Sequence, residues 1–355
     1  MLLSTRRQFL ALTSCLSAPM AWALPHDKPT LVQGAGATFP AKVYARWAQE
    51  FAKAQGIELD YKPTGSGDGI KQAIARTVQL AGTDAPLGDK ALAEHRLVQI
   101  PMLVGGVVPV INLSGAAGRS LRLDGPVLAD IFAGVVTQWN DSRIAQLNPG
   151  VSLPERKIVR VVRSDKSGTT EGFTAYLSKV SPAFAKAVGT HGLPSWPGEA
   201  ERAKGNDGVA ATVKATPGAI GYVSHDRMVS DKLSPVTLRN NDGQWVSSSE
   251  AGFRSAILQS DVYRKGEDTA SLMDMPGRDS WPITLTSYLL IDAAPAQADD
   301  VQAAMRFVYW CFMHGDTLTQ GTGFAPMPLS VQARMSGRLR AVKPRDGRAP
   351  IYLVL

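Results

Sequence analysis

"VRSDKSGTTEGF", from Val162 to Phe173, shows the building unit of this chain in one stretch. The apolar run before it predicts a β-strand that ends near Arg163, and the residues from Thr169 onward predict a helix. Ser167 and Gly168 stand between the two, where a hydroxyl residue and a glycine favour a helix start. The stretch therefore predicts a strand–turn–helix unit, the repeating element of α/β folds.

Short β-like runs alternate with helical patterns along the rest of the chain. The predicted strands are 57–63, 103–113, 157–164, 218–224 and 282–291, and the helical pattern 298–314 follows the last of them. This alternation predicts an α/β fold. A length of 355 residues allows about two domains. We expect the long apolar runs 103–113 and 282–291 to carry the chain between two lobes.

The composition is that of a folded globular protein. Hydrophobic residues make up 44% of the chain and charged residues 19%, which excludes disorder and a collagen-like structure. The formal net charge of +7 suits an anionic ligand or surface. The lysines and arginines are scattered, without an aromatic–basic motif beside them. We therefore expect no nucleic-acid partner.

Residues 1–23 have the pattern of an export signal. Arg6 and Arg7 precede a short apolar run that ends in the A-x-A pattern Ala21-Trp22-Ala23. The arginine pair favours the bacterial twin-arginine route, although a general secretory signal with a chance Arg-Arg pair gives the same pattern. Cys15 lies in a loose lipoprotein-like box, so a lipid anchor is the lesser alternative. Cleavage after residue 23 would lower the net charge from +7 to +5.

Cys311 would be the single cysteine of the cleaved chain, so it cannot form an internal disulfide. Val301, Met305 and Val308 recur before it at helical spacing. This pattern predicts a buried core thiol rather than a nucleophile. After the signal, no run reaches the roughly 18 apolar residues that a membrane span needs.

Three predicted helix N-termini share one chemistry, in which a hydroxyl residue follows a glycine or strand end and opens the helix. They lie in "GAGATFPAKV" (34–43), "GSGDGIKQAIA" (65–75) and "SGTTEGF" (167–173). A helix N-terminus presents unpaired amide N–H groups and a partial positive charge, so it favours anions. Glycine allows a ligand close to the backbone, and a hydroxyl can donate to an oxyanion.

Arg163 adds a planar, permanent cation suited to tetrahedral oxyanions. Residues two apart on a strand point to the same face, so Asp165 is placed to orient the guanidinium. Pro40 is favoured as a first helical residue, which makes Thr38 and Phe39 the cap of its helix. Together these features predict a site that grips an oxyanion.

Each feature also has a plainer interpretation. A single Ser or Thr at a helix start is ordinarily only a cap, and an Arg–Asp pair is more often a surface ion pair. Sequence spacing alone does not show that the three helix starts converge. Neither glycine-rich stretch is a nucleotide-binding motif: "GAGATF" lacks the last glycine of G-x-G-x-x-G, and "GSGDGIKQ" lacks G-K-[ST].

From about residue 31 to 353, the chain resembles the periplasmic phosphate-binding proteins that feed ABC phosphate importers. The blocks that carry the resemblance are "GAGATFPAKVYARWAQEF", "TGSGDGIKQAIARTVQLAGTDAPL", "VGGVVPVINL", "DIFAGVVTQWND", "RSDKSGTTEGFTAYL", "GNDGVAATVKATPGAIGYV", "WPIT" and "GFAPMPLSV". The resemblance implies the two-lobed periplasmic-binding-protein fold (type II), with phosphate buried in a cleft between lobes that hinge strands join. The implied lobes are 28–108 with 283–355, and 109–282.

The resemblance also implies the residues that bind phosphate. They are Thr38, Phe39 (through its amide), Ser66, Asp84, Arg163, Ser167, Gly168 (through its amide) and Thr169, with Asp165 supporting the arginine. A role for Asp84, in "GTDAPL", can also be argued from its chemistry. A carboxylate can accept the proton that phosphate carries and sulfate lacks, so it would reject sulfate. The alternative is a solvated loop aspartate.

Three positions depart from the common family pattern. Asp68 and Lys166 would either face each other across the cleft mouth or, as we expect, be solvated. Phe324 stands where tyrosine is common, and no consequence follows from this change.

The function implied is that of a monomeric periplasmic protein, without a cofactor, that captures inorganic phosphate and delivers it to an ABC permease. A phosphate sensor, scavenger or surface factor uncoupled from transport is one alternative, and a secreted phosphatase is another. The phosphatase is disfavoured because no G-x-S-x-G motif occurs and the histidines lack metal-ligand spacing. These histidines are His26, His95, His191, His225 and His314. Arsenate, phosphite or a phosphonate as the ligand is left open.

Overall fold

The structure is a computed structural model that describes residues 30–113 and 121–353. The predicted export signal, with Arg6, Arg7 and Cys15, lies outside the described residues. Across the described ranges, no helix has both the length and the apolar character needed to cross a bilayer.

The strands and helices of the described residues alternate along the chain. The strands are β1 (Thr30–Gly36), β2 (Ile57–Lys62), β3 (Leu80–Thr83), β4 (Leu97–Asn112), β5 (Arg122–Leu123), β6 (Val159–Arg163), β7 (Glu201–Ala203), β8 (Ala219–Ser224), β9 (Ser234–Pro235), β10 (Thr237–Arg239), β11 (Trp245–Val246), β12 (Thr284–Asp292) and β13 (Phe324–Pro326). The helices are α1 (Ala41–Gln55), α2 (Ser66–Ala75), α3 (Asp89–His95), α4 (Gly125–Phe132), α5 (Ser142–Leu147), α6 (Gly168–Val180), α7 (Pro182–Ala187), α8 (Gly205–Ala215), α9 (His225–Ser230), α10 (Glu250–Gln259), α11 (Asp261–Arg264), α12 (Asp299–Thr319) and α13 (Leu329–Arg338), followed by the 3-10 turn Leu339–Ala341. The predicted α/β class is confirmed.

Strand β4 connects two groups of parallel strands. The ladder runs in the order β2-β1-β3-β12-β4-β8-β6-β7. In the first group β1 pairs parallel with β2 and β3, and in the second β6 pairs parallel with β7 and β8. Residues 97–106 of β4 pair with β12, whereas residues 107–112 pair with β8. The lobe boundaries implied by the resemblance stay a prediction.

The predicted strands are confirmed with shifts of one or two residues at their ends, except for 103–113. That strand begins six residues earlier, at Leu97. Gln99 and Pro101 interrupt the apolar pattern and hide this part of the strand from the sequence. Gln99 is nevertheless buried, because its Oε1 accepts a hydrogen bond from the Leu87 amide at 2.8 Å. A polar side chain can occupy a core position when a loop satisfies it.

Helix α1 carries the first predicted binding segment at its start. Val43, Trp47 and Phe51 lie on its buried face, as the helical spacing predicts. Phe51 packs against Phe307 of α12 with ring centroids 5.3 Å apart, and truncating such a buried ring costs roughly 3–5 kcal/mol. Pro40 lies one residue before the helix rather than in its first position, since its ψ of 5° is not helical.

Cys311 lies on the buried face of α12 and is a free thiol. The prediction of a buried core cysteine is confirmed. Burial raises its pKa well above the ordinary value, which keeps the thiol neutral and unreactive.

Candidate functional site

Arg163 ends strand β6 with its side chain 1% exposed. Its Nε donates to Oδ1 of Asp165 at 2.8 Å, and its Nη2 donates to Oδ2 at 2.5 Å. The third nitrogen, Nη1, is buried without a hydrogen-bond partner among the described residues. Buried donors in native proteins are almost always paired. The guanidinium is therefore held by one carboxylate and has a donor left for a ligand.

Asp165 fixes the arginine and the start of a second helix together. Its Oδ1 also accepts from the amide of Gly205, the first residue of α8, at 3.0 Å. Burial acts to raise the pKa of Asp165, but the hydrogen bonds and charge of Arg163 outweigh it and lower that pKa below the ordinary value. Asp165 thus stays ionised and neutralises the positive charge of Arg163.

Helix α6 points its N-terminus at the same place. Ser167 is its N-cap and accepts from the Thr170 amide through Oγ at 3.1 Å. Ser167 and Thr169 are each 1% exposed. The first amides of a helix have no partner in a preceding turn, so those of Gly168 and Thr169 are placed to donate to a ligand. The partial positive charge of the helix start favours an anion.

Helix α2 begins directly opposite α6. Its first residue, Ser66, is 3% exposed, and the preceding Gly65 has a φ of +109°, which side-chain-bearing residues rarely adopt. A Cβ placed on Gly168 would lie 2.7 Å from both Ser66 Oγ and Asp84 Cβ. Only glycine fits at position 168, and it brings the two helix starts into contact.

Asp84 follows β3 and is 4% exposed. Its Oδ1 accepts from Ser287 Oγ at 2.8 Å, and its amide donates to Ser66 Oγ at 3.2 Å. Burial raises the pKa of Asp84 from 3.8 to about 7, because the hydrogen bond from Ser287 and the charge of Arg163 offset only part of the desolvation. This burial excludes a solvated loop aspartate. A carboxyl group that titrates near neutral pH can share a proton with a bound oxyanion.

Thr38 is held by a residue that the sequence interpretation missed. Its Oγ1 accepts from the Asn206 side-chain Nδ2 at 2.9 Å and from the Asn206 amide at 3.3 Å. The same Nδ2 lies 3.5 Å from Thr169 Oγ1. Phe39 points its ring into the core, 5.1 Å from the ring of Phe324, which leaves only its backbone amide for a ligand.

These contacts place the predicted site residues in one continuous, largely buried cluster. The starts of α1, α2, α6 and α8 and one arginine converge there, with Asp165 and Asp84 as the carboxylates. The arrangement can bind a compact anion through several donors and can accept one proton from it.

The sequence profile of the PBP superfamily domain matches residues 24–313 of this chain. A relative from Pasteurella multocida (strain Pm70), named phosphate-binding protein PstS, is 37% identical over 318 residues, which cover 89% of this chain and 92% of the relative. The chain belongs to the PstS family of phosphate-binding proteins. A PstS protein from Xylella fastidiosa (strain Temecula1 / ATCC 700964) is 38% identical over 85% of this chain and 82% of its own length.

Solved structures agree with the fold expected for the PstS family. The crystal structure of a phosphate-binding protein from Stenotrophomonas maltophilia superimposes with a TM-score of 0.65 at 21% identity, covering 87% of this chain and 94% of that chain. The predicted two-lobed periplasmic-binding-protein fold, with the cleft between its lobes, is thereby confirmed.

Two contributors to the cluster were not predicted from the sequence, Asn206 and Ser287. Asn206 follows Gly205 at the start of α8, so the pattern of a glycine before a helix start would have indicated it only if polar residues other than Ser and Thr had been included. Ser287 lies inside the apolar strand "PITLTSYLLI" and gives no such signal.

A cavity of 170 Å³ touches Asp84 but none of the other predicted binding residues. Apolar side chains such as Leu285 and Met273 line it together with Glu171 and Thr286. The cavity therefore lies beside the polar cluster and is not its interior.

Asp68 and Lys166, which depart from the common family pattern, lie on neighbouring segments, since the amide of Gly67 donates to the Lys166 carbonyl at 3.0 Å. Lys166 is exposed, as expected. Asp68 is half-buried and accepts a hydrogen bond from Gln72 Nε2 at 2.6 Å, which differs from the solvated state predicted for it.

Proposed function

We propose that this protein binds inorganic phosphate in the cleft between the starts of α2 and α6 and delivers it to an ABC permease. Arg163, Ser66 and the hydroxyls of Thr38, Ser167 and Thr169 would donate to the anion, together with the amides of Phe39 and Gly168. Asp84 would accept the proton of the phosphate. The membership in the PstS family supports this assignment.

The observation that carries the proposal is Nη1 of buried Arg163, which has no hydrogen-bond partner within residues 30–113 and 121–353. A buried, charged donor without a partner is costly, and an oxyanion between the helix starts would satisfy it. Charge-assisted hydrogen bonds contribute about 1.5–3 kcal/mol each, so a few of them reach micromolar affinity or tighter.

Asp84 supports phosphate over other tetrahedral anions. Near neutral pH phosphate keeps a proton that it can donate to a carboxylate, whereas sulfate has none. An ionised Asp84 facing sulfate would leave two buried anions in contact without a shared proton, which is strongly unfavourable.

The cellular role extends the binding proposal. Residues 1–23 would export the chain to the periplasm, preferably by the twin-arginine route, and the mature protein would act as a monomer. Residues 28–108 with 283–355 would form one lobe and residues 109–282 the other. Closure of the lobes around phosphate would present the surface that the permease recognises. The protein would act as a binding protein and not as an enzyme.

Equilibrium dialysis of the phosphate-stripped mature protein with radiolabelled phosphate tests the proposal. We expect one phosphate bound per chain at micromolar concentration or below, and no hydrolysis of a chromogenic phosphate ester by the same sample. Absence of binding would overturn the proposal. A phosphate-binding protein whose deletion leaves phosphate uptake unchanged would instead be a sensor or scavenger.

A further inference from the structure

Asn206 is placed to control which way the Thr38 hydroxyl donates. It is 1% exposed and lies in the first turn of α8 (Gly205–Ala215), 168 positions from Thr38 along the chain. It therefore joins two distant segments of the chain at the oxyanion cluster.

A hydrogen bond from the backbone fixes the orientation of the Asn206 side-chain amide. Its Oδ1 accepts a hydrogen bond from the backbone amide of Ser224 at 2.9 Å. Because that backbone group can only donate, the acceptor end of the side chain must face it. The donor end, Nδ2, is thereby turned toward Thr38 and Thr169.

The Thr38 hydroxyl has two acceptor lone pairs and one donor hydrogen. The backbone N–H and the Nδ2–H of Asn206 both point at its oxygen, at 3.3 and 2.9 Å. With both lone pairs occupied, the hydrogen has to point elsewhere, and the anion site is the polar region that remains. Because Asn206 occupies both lone pairs, the Thr38 hydroxyl can interact with a ligand only by donating its hydrogen.

We infer that Asn206 is a positioning residue for anion binding, which orients the Thr38 hydroxyl toward an unprotonated oxygen of the ligand. This inference rests on the proposed function. With this orientation, the Thr38 side of the site can only donate a hydrogen bond to the ligand, whereas Asp84 on the other side accepts a proton from it. A monoprotonated tetrahedral oxyanion matches that division in one orientation.

A double-mutant cycle tests the inference with inorganic phosphate as the ligand. Asn206→Ala and Thr38→Val should each lower phosphate affinity by roughly tenfold, as expected for the loss of one oriented hydrogen bond to a charged group. In the Thr38→Val background, Asn206→Ala should have less than about a twofold further effect, because the hydroxyl through which it acts is gone.

Thr38→Ser keeps the hydroxyl and serves as the rescue variant, so it should bind nearly as the wild type and restore the full effect of Asn206→Ala. Asn240→Ala is the matched control, since Asn240 is buried and bonded to backbone groups at Gly277, Arg278 and Ser280, away from the cluster. It should lower the unfolding temperature without changing phosphate affinity.

Multiplicative losses in the cycle, or wild-type affinity in Asn206→Ala, would overturn the inference while leaving the proposed function intact. Failure of the wild-type protein to bind phosphate would overturn the proposed function itself. If Asn206→Ala does not fold, the polar but uncharged Asn206→Ser adds no charge beside the anion, and its affinity with and without Thr38→Val completes the same cycle.

Discussion

Ser287 donates a hydrogen bond to Asp84 across 203 positions of sequence, with 2.8 Å between Oγ and Oδ1. Both residues are buried. The bond stabilises the ionised carboxylate, because the hydroxyl donates to the charged form. It also commits one carboxylate oxygen to the protein.

Ser287→Ala should therefore raise the pKa of Asp84. Loss of a hydrogen bond to a charged group corresponds to about one pKa unit, and the Asp84 carboxyl ¹³C chemical shift, followed against pH, measures it. An unchanged titration would show that Ser287 does not stabilise the carboxylate. Ser336→Ala, which removes a solvent-exposed hydrogen bond on α13, is the control.

Asp84 should make the ligand-free protein less stable as the pH rises. Folding raises its pKa from 3.8 to about 7, so between these values the folded protein holds a proton that the unfolded chain has released. The stability from this group is fully present below the lower value and is lost as the pH rises through the upper one. Relative to Asp84→Asn, the free energy of unfolding should fall by on the order of 4 kcal/mol over this interval.

Urea denaturation of both proteins at a series of pH values measures that difference. Comparison with Asp84→Asn isolates Asp84 from the other carboxyl groups whose pKa is shifted. A stability difference that does not change with pH would contradict a proton-holding Asp84.

Arg163→Ala should weaken phosphate binding by about 100-fold or more. The variant loses a charge-assisted donor and leaves the Asp165 carboxylate without its main partner, facing an anion. Arg163→Lys keeps the charge but cannot bind Asp165 and the ligand at once, so its affinity should lie in between. Titration calorimetry gives both values, and near wild-type affinity of Arg163→Ala would remove the arginine from the site.

Gly168→Ala should impair binding through sterics alone. The added Cβ would lie 2.7 Å from Ser66 Oγ and Asp84 Cβ, and such overpacking costs roughly 1–3 kcal/mol. A methyl group at Gly337 meets no atom of the described part of the chain within 4 Å, so Gly337→Ala should leave phosphate affinity unchanged. Equal affinities for the two variants would show that the helix starts need not touch for binding.

Much of the site can be predicted from local sequence patterns. The pairing of Arg163 with Asp165 follows from residues two apart near a strand end, and it is present in the structure. Ser167 is expected from its position to open a helix, and it is the N-cap of α6. Such features depend on neighbours within one turn or strand, which the sequence displays directly.

The remaining features depend on contacts between distant segments. The hydrogen bond from Asn206 to Thr38 joins positions 168 apart, and that from Ser287 to Asp84 joins positions 203 apart. Ser287 has the period of an ordinary buried strand residue, so nothing nearby marks it as polar support. The early start of β4 cannot be predicted for the same reason, since the loop residue Leu87 satisfies Gln99.

The most direct test of the central claim is a pair of calorimetric titrations of the phosphate-stripped mature protein at pH 8, one with phosphate and one with sulfate. At this pH Asp84 is mostly ionised, because its pKa is about 7. We predict tight phosphate binding at one site per chain and no heat of binding from sulfate at millimolar concentration. Comparable binding of both anions, or of neither, would contradict a site built around a proton that phosphate donates to Asp84.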